Sequence, residues 1–389
     1  MRKKILLITS FLIALELGAV SPYINKVYEY MPAPGQCVNL MPEYEAGDDM
    51  DAMCAKVEEY IAGVGNGSLI NLGAWGGYVT VGFDHTIVNV DGDYDFKIYA
   101  NAFYADSQTA GGSCEPGIVM VSYDSNGNGL PDDEWYELAG SEYYSDSTIK
   151  DYEVTYYRPD SNHVATPDSS SPMITDTEYI YWVDNKGNDG YINKLSYYSQ
   201  SYFPEWIEGD EITLYGNRLA DNAVDESGDG SNYVLYAYDW GYADNHLNTS
   251  DLSNFKIEWA VDSDGNSVNL PGVDFVKVYS GVLQSNGWLG ECSTEISGME
   301  DLHPTAVMPE GSVSSNMLNN LTISCNNGSL NIYSPISANA DIIAISGVCI
   351  KSFEIIAGTN SINVSNLHNG IYLLKVKLNN ELKIIKFIK

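Results

Sequence analysis

Apolar and polar positions alternate with a period of two in short stretches along most of this chain, and Gly, Asn, Asp and Pro separate the stretches. They read GYVTVGF from Gly77, HTIVNV from His85, DFKIYANAFY from Asp95, GIVMVSY from Gly117 and YEVTYYR from Tyr152. EYIYWV from Glu178, EITLYG from Glu211, YVLYAYDW from Tyr233, NFKIEWAV from Asn254 and DFVKVYSGV from Asp274 continue the series. Runs of this length, rich in Val, Ile, Tyr and Phe, predict β-strands. One segment breaks the pattern. Met50, Met53, Val57 and Ile61 recur at helical spacing, with Asp48 and Asp49 at the start and Gly63 at the end, which predicts one short helix. A single helix cannot supply the crossovers of a βαβ sheet. The expected fold is all-β: a large jelly-roll-like β-sandwich with one short N-terminal helix. No internal repeat of fixed period appears in the sequence.

The two ends have their own character. Arg2, Lys3 and Lys4 precede an apolar stretch from Ile5 to Val20 that ends in small residues around Gly18, Ala19 and Ser21. It is short for a spanning helix and predicts a secretory signal over residues 1–21. The first cysteine is Cys37, so no lipid-anchor cysteine follows the signal, and no membrane span is expected after its cleavage. At the far end, residues 312–389 hold six lysines (351, 375, 377, 383, 386 and 389) against Asp341, Glu354 and Glu381. The segment before it is strongly acidic, and the change falls just after Pro304, Pro309 and Gly311. A boundary there divides an acidic ligand-binding domain, 22–311, from a C-terminal domain, 312–389.

Within that tail, SLNIYS, ADIIAIS, KSFEII, NSINVS, GIYLLKVK and LKIIKFIK alternate with turn residues, which predicts a small immunoglobulin-like β-sandwich. DIIAISG, INVSNLHNGIYLLKV and the lysine-bearing KIIKFIK together resemble the C-terminal sorting domain of type IX secretion cargo from Bacteroidota. The usual opening phrase of that domain is only partly present, as Asn331-Ile332-Tyr333-Ser334-Pro335. The resemblance implies the type IX secretion machinery as a partner and a secreted or outer-surface location.

Lysine plus arginine number 19 against 53 Asp plus Glu, a formal charge of −34. A polyanion of this kind does not bind nucleic acid through its phosphates. Six cysteines are too sparse for a disulfide scaffold, although Cys325 and Cys349 share the tail and could pair. No Cys/His spacing suggests zinc.

The sharpest chemical motif is a calcium-loop pattern. Asp124, Asn126 and Asn128 place oxygens at positions 1, 3 and 5, Gly129 allows the turn, Leu130 offers a carbonyl, and Asp132 holds position 9. Asp133 is a further ligand candidate. Trp135 stands where a bidentate Glu is usual, so the loop looks closer to those of thrombospondin-like repeats than to an EF-hand, and the expected Ca²⁺ is structural. The acidic stretches from Asp221 to Asp229 and from Asp239 to His246 are weaker candidates, and Asp262-Ser-Asp264-Gly265-Asn266 reads as a hairpin turn.

No nucleophile elbow, HExxH or P-loop is present. Asp239 and Glu258 are the nominees for a glycosidase acid pair, but abundant carboxylates make any pair easy to name. Binding has more support. Trp75, Tyr78, Phe103, Trp240, Tyr242 and Trp288 lie beside glycine or asparagine in expected loops, with Asn101, Asp239 and Asp244 close in sequence. Aromatic faces flanked by Asp and Asn suit a flat ligand, a sugar ring or a macrocycle.

The segments GGYVTVGFDHTIVNV, YANAF, SCEPGIVMVSYDSNGNGLPDDEWYELAGSEY, RLADNAVDESGDGSNYVLYAYDWGYADNH and FVKVYSGV look like those of a family of Bacteroidota cell-surface proteins associated with cobalamin uptake loci. The resemblance spans roughly residues 23–303 and includes the surface cobalamin-binding group. It implies a non-enzymatic protein that captures a corrinoid and passes it to an outer-membrane transporter, with direct cobalt ligation by His246 conceivable. Relatives are commonly lipid-anchored, and this chain departs from them in carrying the sorting-like tail. A carbohydrate-binding surface module and an acid-pair glycoside hydrolase are the competing readings.

Overall fold

The computed structural model describes residues 20–106, 109–308 and 321–389, apart from 327, 335–336, 345–346, 369 and 379–380 in the last stretch. The expected signal peptide up to residue 19, and the expected boundary near 311, lie outside the described residues.

The strands assemble into antiparallel sheets. The largest has six strands in the order Lys26–Met31, Tyr78–Val88, Gly272–Ser280, Gly117–Ser122, Trp135–Leu138, Ala260–Val261. A four-stranded sheet of Asn254–Phe255, Phe96–Ala100, Glu295–Asp301 and Ile70–Asn71 shares its core. Val79, Val81, Val119, Val121, Val276 and Val278 come from the first sheet, and Phe96, Ile98, Ile296 and Met299 from the second. The helix, Met50–Ile61, adds Met53, Val57 and Ile61 to this core. The Asp49 carboxylate accepts the Ala52 N–H at its start, as the local sequence predicts. Together these make the main sandwich of the all-β fold.

A second four-stranded sheet, Asp189–Leu195, Ile174–Asp184, Ile149–Tyr157 and Glu211–Arg218, has its own core of Tyr152, Val154, Tyr156, Ile180 and Leu214 around Trp75. A smaller sheet joins Ala223–Asp225, Tyr233–Tyr236, Gly111–Ser113 and Phe103–Tyr104.

Several expected strands are shorter or divided. NFKIEWAV is not one strand: Asn254–Phe255 pairs with Phe96–Ala100, a 3₁₀ turn spans Ile257–Trp259, and Ala260–Val261 pairs with Trp135–Leu138. The buried carboxylate of Asp95 draws in the Ile257 N–H at 2.6 Å, so the segment crosses from one sheet to the other. DFKIYANAFY breaks where Asp244 takes the Asn101 N–H.

The tail forms a three-stranded sheet, Thr322–Asn326, Ser329–Ser334 and Gly358–Asn363, and a four-stranded one, Cys349–Ile355, Ala338–Ala344, Ile371–Leu378 and Glu381–Ile388. Its core of Leu330, Ile332, Ile342, Ile355, Leu374 and Val376 is separate from the others. Cys325 and Cys349 lie on different sheets and carry free thiols, so the pairing that their shared place in the tail left open is not made.

Candidate functional site

Strand register creates a cleft. Across the six-stranded sheet, Glu29 pairs with Thr80, Thr80 with Lys277, Lys277 with Met120 and Met120 with Glu137. Cross-strand partners share a face, so these residues form one transverse row. Opposite runs Glu211–Arg218, the edge strand of the second sheet. Two hollows of about 410 and 910 Å³ lie between them and share Met120, Tyr215 and Tyr279 in their walls. The smaller is mostly apolar, with Met31, Tyr78, Ile207 and Leu214. The larger has Trp135, Tyr143, Tyr144, Lys150, Asp151 and Glu137.

Charges and rings alternate here. Lys277 Nζ lies 4.5 Å from the Tyr78 ring centre and 4.9 Å from that of Trp135, and 3.4 Å from Glu29. Lys150 Nζ stands 3.0 Å from the centre of the Tyr143 ring. Burial pushes the Glu137 carboxyl up to about 7, against the pull of the Lys150 charge and of the Asn217 amide, which donates to it at 2.6 Å. Tyr144 and Tyr215 are 70% and 68% exposed, so large aromatic faces stand open to solvent at the cleft. Such a surface can stack on a ring while charged groups answer its polar rim.

The acidic loop is folded around Asp124. Its Oδ1 accepts the N–H groups of Gly127 and Asn128, and Oδ2 accepts that of Gly129. Gly127 and Gly129 have φ of +70° and +72°, which glycine adopts without a Cβ clash. Asn126 and Asn128 accept from the N–H groups of Asn128 and Leu130, and their amides donate to Asp132. Asn126 also donates to Asp133, whose other oxygen accepts from Ser125. Asp274, from the strand Gly272–Ser280, accepts the Asp124 N–H. Burial, then the charges of Asp124 and Asp133, hold Asp274 above the usual carboxylate range against the hydrogen bonds it accepts. Asp124, Asp132, Asp133 and Asp274 are thus a mutually repelling carboxylate group.

The nominated binding residues do not gather at one place. Tyr78 lines the cleft. Trp75 is fully buried, packed edge-on against Tyr152 at 4.8 Å, with its indole N–H on the Asn217 carbonyl. Tyr242 is core as well, its hydroxyl accepting the Glu142 N–H. Trp240 packs against Trp259, with ring centres 4.7 Å apart and planes inclined by 50°. Phe103 is exposed on the small sheet, and Trp288 donates to the Ser231 carbonyl. Asn101 and Asp244 do meet, through the backbone bond already described. Asp239 is exposed, and Glu258 pairs with Lys256. His246 is buried with both nitrogens engaged, Nε2 with the Asp239 carbonyl and Nδ1 with Tyr104 at 2.6 Å. The carbonyl can only accept, so Nε2 carries the proton and Tyr104 donates to Nδ1. Cobalt ligation by His246 would have to break one of these bonds.

Tyr144, Lys150, Tyr215 and Lys277 were not singled out from the sequence, and Trp135 and Glu137 drew notice only beside the calcium-loop pattern, not as part of a cleft. The available signal was aromatic or charged residues at outward positions of the strand alternation, as Tyr215 is in EITLYG.

Comparison with known proteins adds three findings. No curated protein matches the sequence. Solved structures that match include "Biofilm associated protein - BSP domain", at 11% identity and a TM-score of 0.17, over 80% of this chain and 48% of that one. Another is "Faecalibacterium prausnitzii Beta-glucuronidase", at 10% identity and a TM-score of 0.16, over 74% of this chain and 47% of that one. The chain therefore spans about half the length of these structures. No helix among the described residues is long and apolar enough to cross a membrane. Residues 319–389 match the secretion system C-terminal sorting domain, and by that type IX tail this is a protein secreted to the cell surface.

Proposed function

We propose that this is a non-enzymatic surface binding protein that takes a large, amphipathic, ring-bearing ligand in the cleft between the six-stranded sheet and the edge strand Glu211–Arg218. The observation that carries this is the pair of exposed tyrosines, Tyr144 and Tyr215, in the wall of a 910 Å³ hollow. Ordered aromatic surface left open to water is a binding feature more than a packing one. A corrinoid is the first ligand to test, in keeping with the resemblance of residues 23–303. Its flat ring system suits the tyrosines, and its peripheral amides suit Lys150, Asp151 and Glu137. Transfer to an outer-membrane transporter belongs to the same proposal.

A Ca²⁺ ion bound by the Asp124 loop would stiffen the structure from outside the cleft. Asp124, Asn126, Asn128, Asp132 and Asp133 supply side-chain oxygens and Leu130 a carbonyl, while Asp274 brings a carboxylate that the loop lacks at Trp135. The crowding of these carboxylates supports a divalent cation there.

A carbohydrate is the second reading. Tyr157, Tyr181 and Tyr191 form a row on the second sheet, with ring centres 5.7 and 5.2 Å apart and ring planes inclined by 27° and 47°, an aromatic patch that a sugar ring can pack against. If the carbohydrate entered the cleft instead, Glu137 has the raised proton affinity of a general acid, and a hydrolase would use it so.

Calorimetric titration of the full chain with cyanocobalamin, calcium present, tests the first reading. Saturable binding that Tyr215→Ala weakens supports it. No heat with cyanocobalamin and retention of the chain on a glycan array would favour the second. Sugar turnover abolished by Glu137→Gln would overturn the non-enzymatic reading.

A further inference from the structure

A second group of carboxylates, two buried and one half-buried, lies where the sheets of the acidic segment meet. Glu115 stands just before the strand Gly117–Ser122, Asp244 lies in the loop after Tyr233–Tyr236, and Glu295 opens the strand Glu295–Asp301. The backbone pins them together. Glu115 N–H bonds the Asp244 carbonyl at 2.8 Å, and Gly117 and Ala243 exchange bonds at 2.8 and 2.9 Å. One carboxylate oxygen from each of Glu115, Asp244 and Glu295 falls within 4.8 Å of the others.

We propose that Glu115, Asp244 and Glu295 form a cation site, separate from the Asp124 loop, for a hard divalent ion of the calcium class.

Distance, ligand type and the hydrogen-bond count all bear on this. Oxygens on opposite sides of a calcium ion, each about 2.3–2.6 Å from it, lie roughly 4.6–5.2 Å apart, so three oxygens inside 4.8 Å can share one ion. An all-carboxylate set with no thiol or imidazole among its members is hard, and three carboxylates suit calcium better than magnesium, which usually keeps several waters.

The carboxylates are held in place by donors that leave coordination capacity free. Asp244 Oδ1 accepts the Asn101 N–H at 2.8 Å and Oδ2 the Glu295 N–H at 2.9 Å. Glu295 Oε1 accepts the Asn71 amide at 2.7 Å, while its Oε2 is buried without a hydrogen-bond partner. Glu295 as a whole is 7% exposed. A carboxylate oxygen fixed in a dry interior with nothing to accept from is costly. Glu291, 6% exposed, also has a buried unpartnered oxygen and adds its charge to the cluster.

The described residues bring no paired countercharge to the cluster. Among the described residues, no Lys, Arg or His forms an ion pair with Glu115, Asp244, Glu291 or Glu295. Burial and mutual repulsion make such a group of carboxylates costly while nothing neutralises it. Protons or a cation must neutralise such a cluster. The buried oxygen with nothing to accept from and the common centre favour the cation.

Native mass spectrometry of the full chain, loaded with calcium, counts the ions. Glu295→Gln is nearly isosteric and should hold one calcium fewer than wild type. A cluster neutralised by protons alone would leave that count equal to wild type and overturn the proposal. If Glu295→Gln fails to fold, Asp124→Ala decides: it retains an ion when the cluster binds one, and an ion-free Asp124→Ala chain overturns the proposal. Failure of the loop reading is distinguishable, because Asp124→Ala would then keep the wild-type count while Glu295→Gln loses its ion.

Discussion

Asp274, on the central strand Gly272–Ser280, accepts the backbone N–H of Asp124 at 2.7 Å. That bond ties an exposed acidic loop to the strand between Tyr78–Val88 and Gly117–Ser122, so order in the loop is coupled to order in the sheet. Calcium should therefore raise the melting temperature, by as much as about 2.7 kcal/mol of stability at a hundredfold excess over Kd for one site. Asp124→Ala should reduce that gain, and scanning calorimetry with and without chelator measures it. Identical wild-type melting in chelator would remove calcium from the account of this loop.

Tyr215 and Trp75 should separate binding from packing. Tyr215→Ala removes an exposed ring, and is expected to change stability by no more than about 0.5 kcal/mol while weakening ligand binding roughly tenfold. Trp75→Ala should cost about 3–5 kcal/mol of stability. Denaturant unfolding and ligand titration on both variants check this pair, and a Tyr215→Ala protein as damaged as Trp75→Ala would assign Tyr215 to the core.

Glu137 predicts a pH dependence. Its carboxyl is raised in the fold from 4.5 to about 7, so as pH rises the unfolded chain gives up its proton first. The contribution is favourable below pH 4.5, falls through the window to 7 and is constant above it, a loss of up to about 3 kcal/mol. Glu137→Gln, still able to meet the Asn217 amide and the Lys150 charge, should lack this fall. Parallel slopes for wild type and Glu137→Gln between pH 5 and 7 would contradict the assignment.

Removal of residues 319–389 should leave the protein inside the cell envelope. The tail has its own core, so its loss exposes no surface of the cores formed by residues 24–299. Fractionation and surface labelling of cells carrying the shortened gene test this. Normal secretion would mean that export does not depend on the matched tail.

Much of the fold was legible because it is local. The helix Met50–Ile61 follows from spacing and a capping Asp49, and most strands follow from alternation. NFKIEWAV was misread because the residue that bends it, Asp95, lies far away in sequence. The strand Asp189–Leu195 was missed: only its pairing with Ile174–Asp184 makes it one. The aromatics beside glycines misled for a physical reason. A Cβ at Gly73 would fall 1.9 Å from the Ala33 carbonyl, and one at Gly77 1.9 Å from that of Leu72. Those glycines serve close backbone packing around a buried Trp75, a need that has the same local signature as a loop.

By itself the amino-acid order determined the all-β class, the helix, the acidic loop and the sorting tail, since each depends on residues within a few positions of one another. Tertiary structure alone brought the residues of the candidate sites together. Tyr215 faces Met120 and Lys277 across the cleft because two sheets come together there, and Glu115, Asp244 and Glu295 converge from segments up to 180 positions apart. Register and sheet packing set those neighbours, and neither is written in the spacing of any single segment.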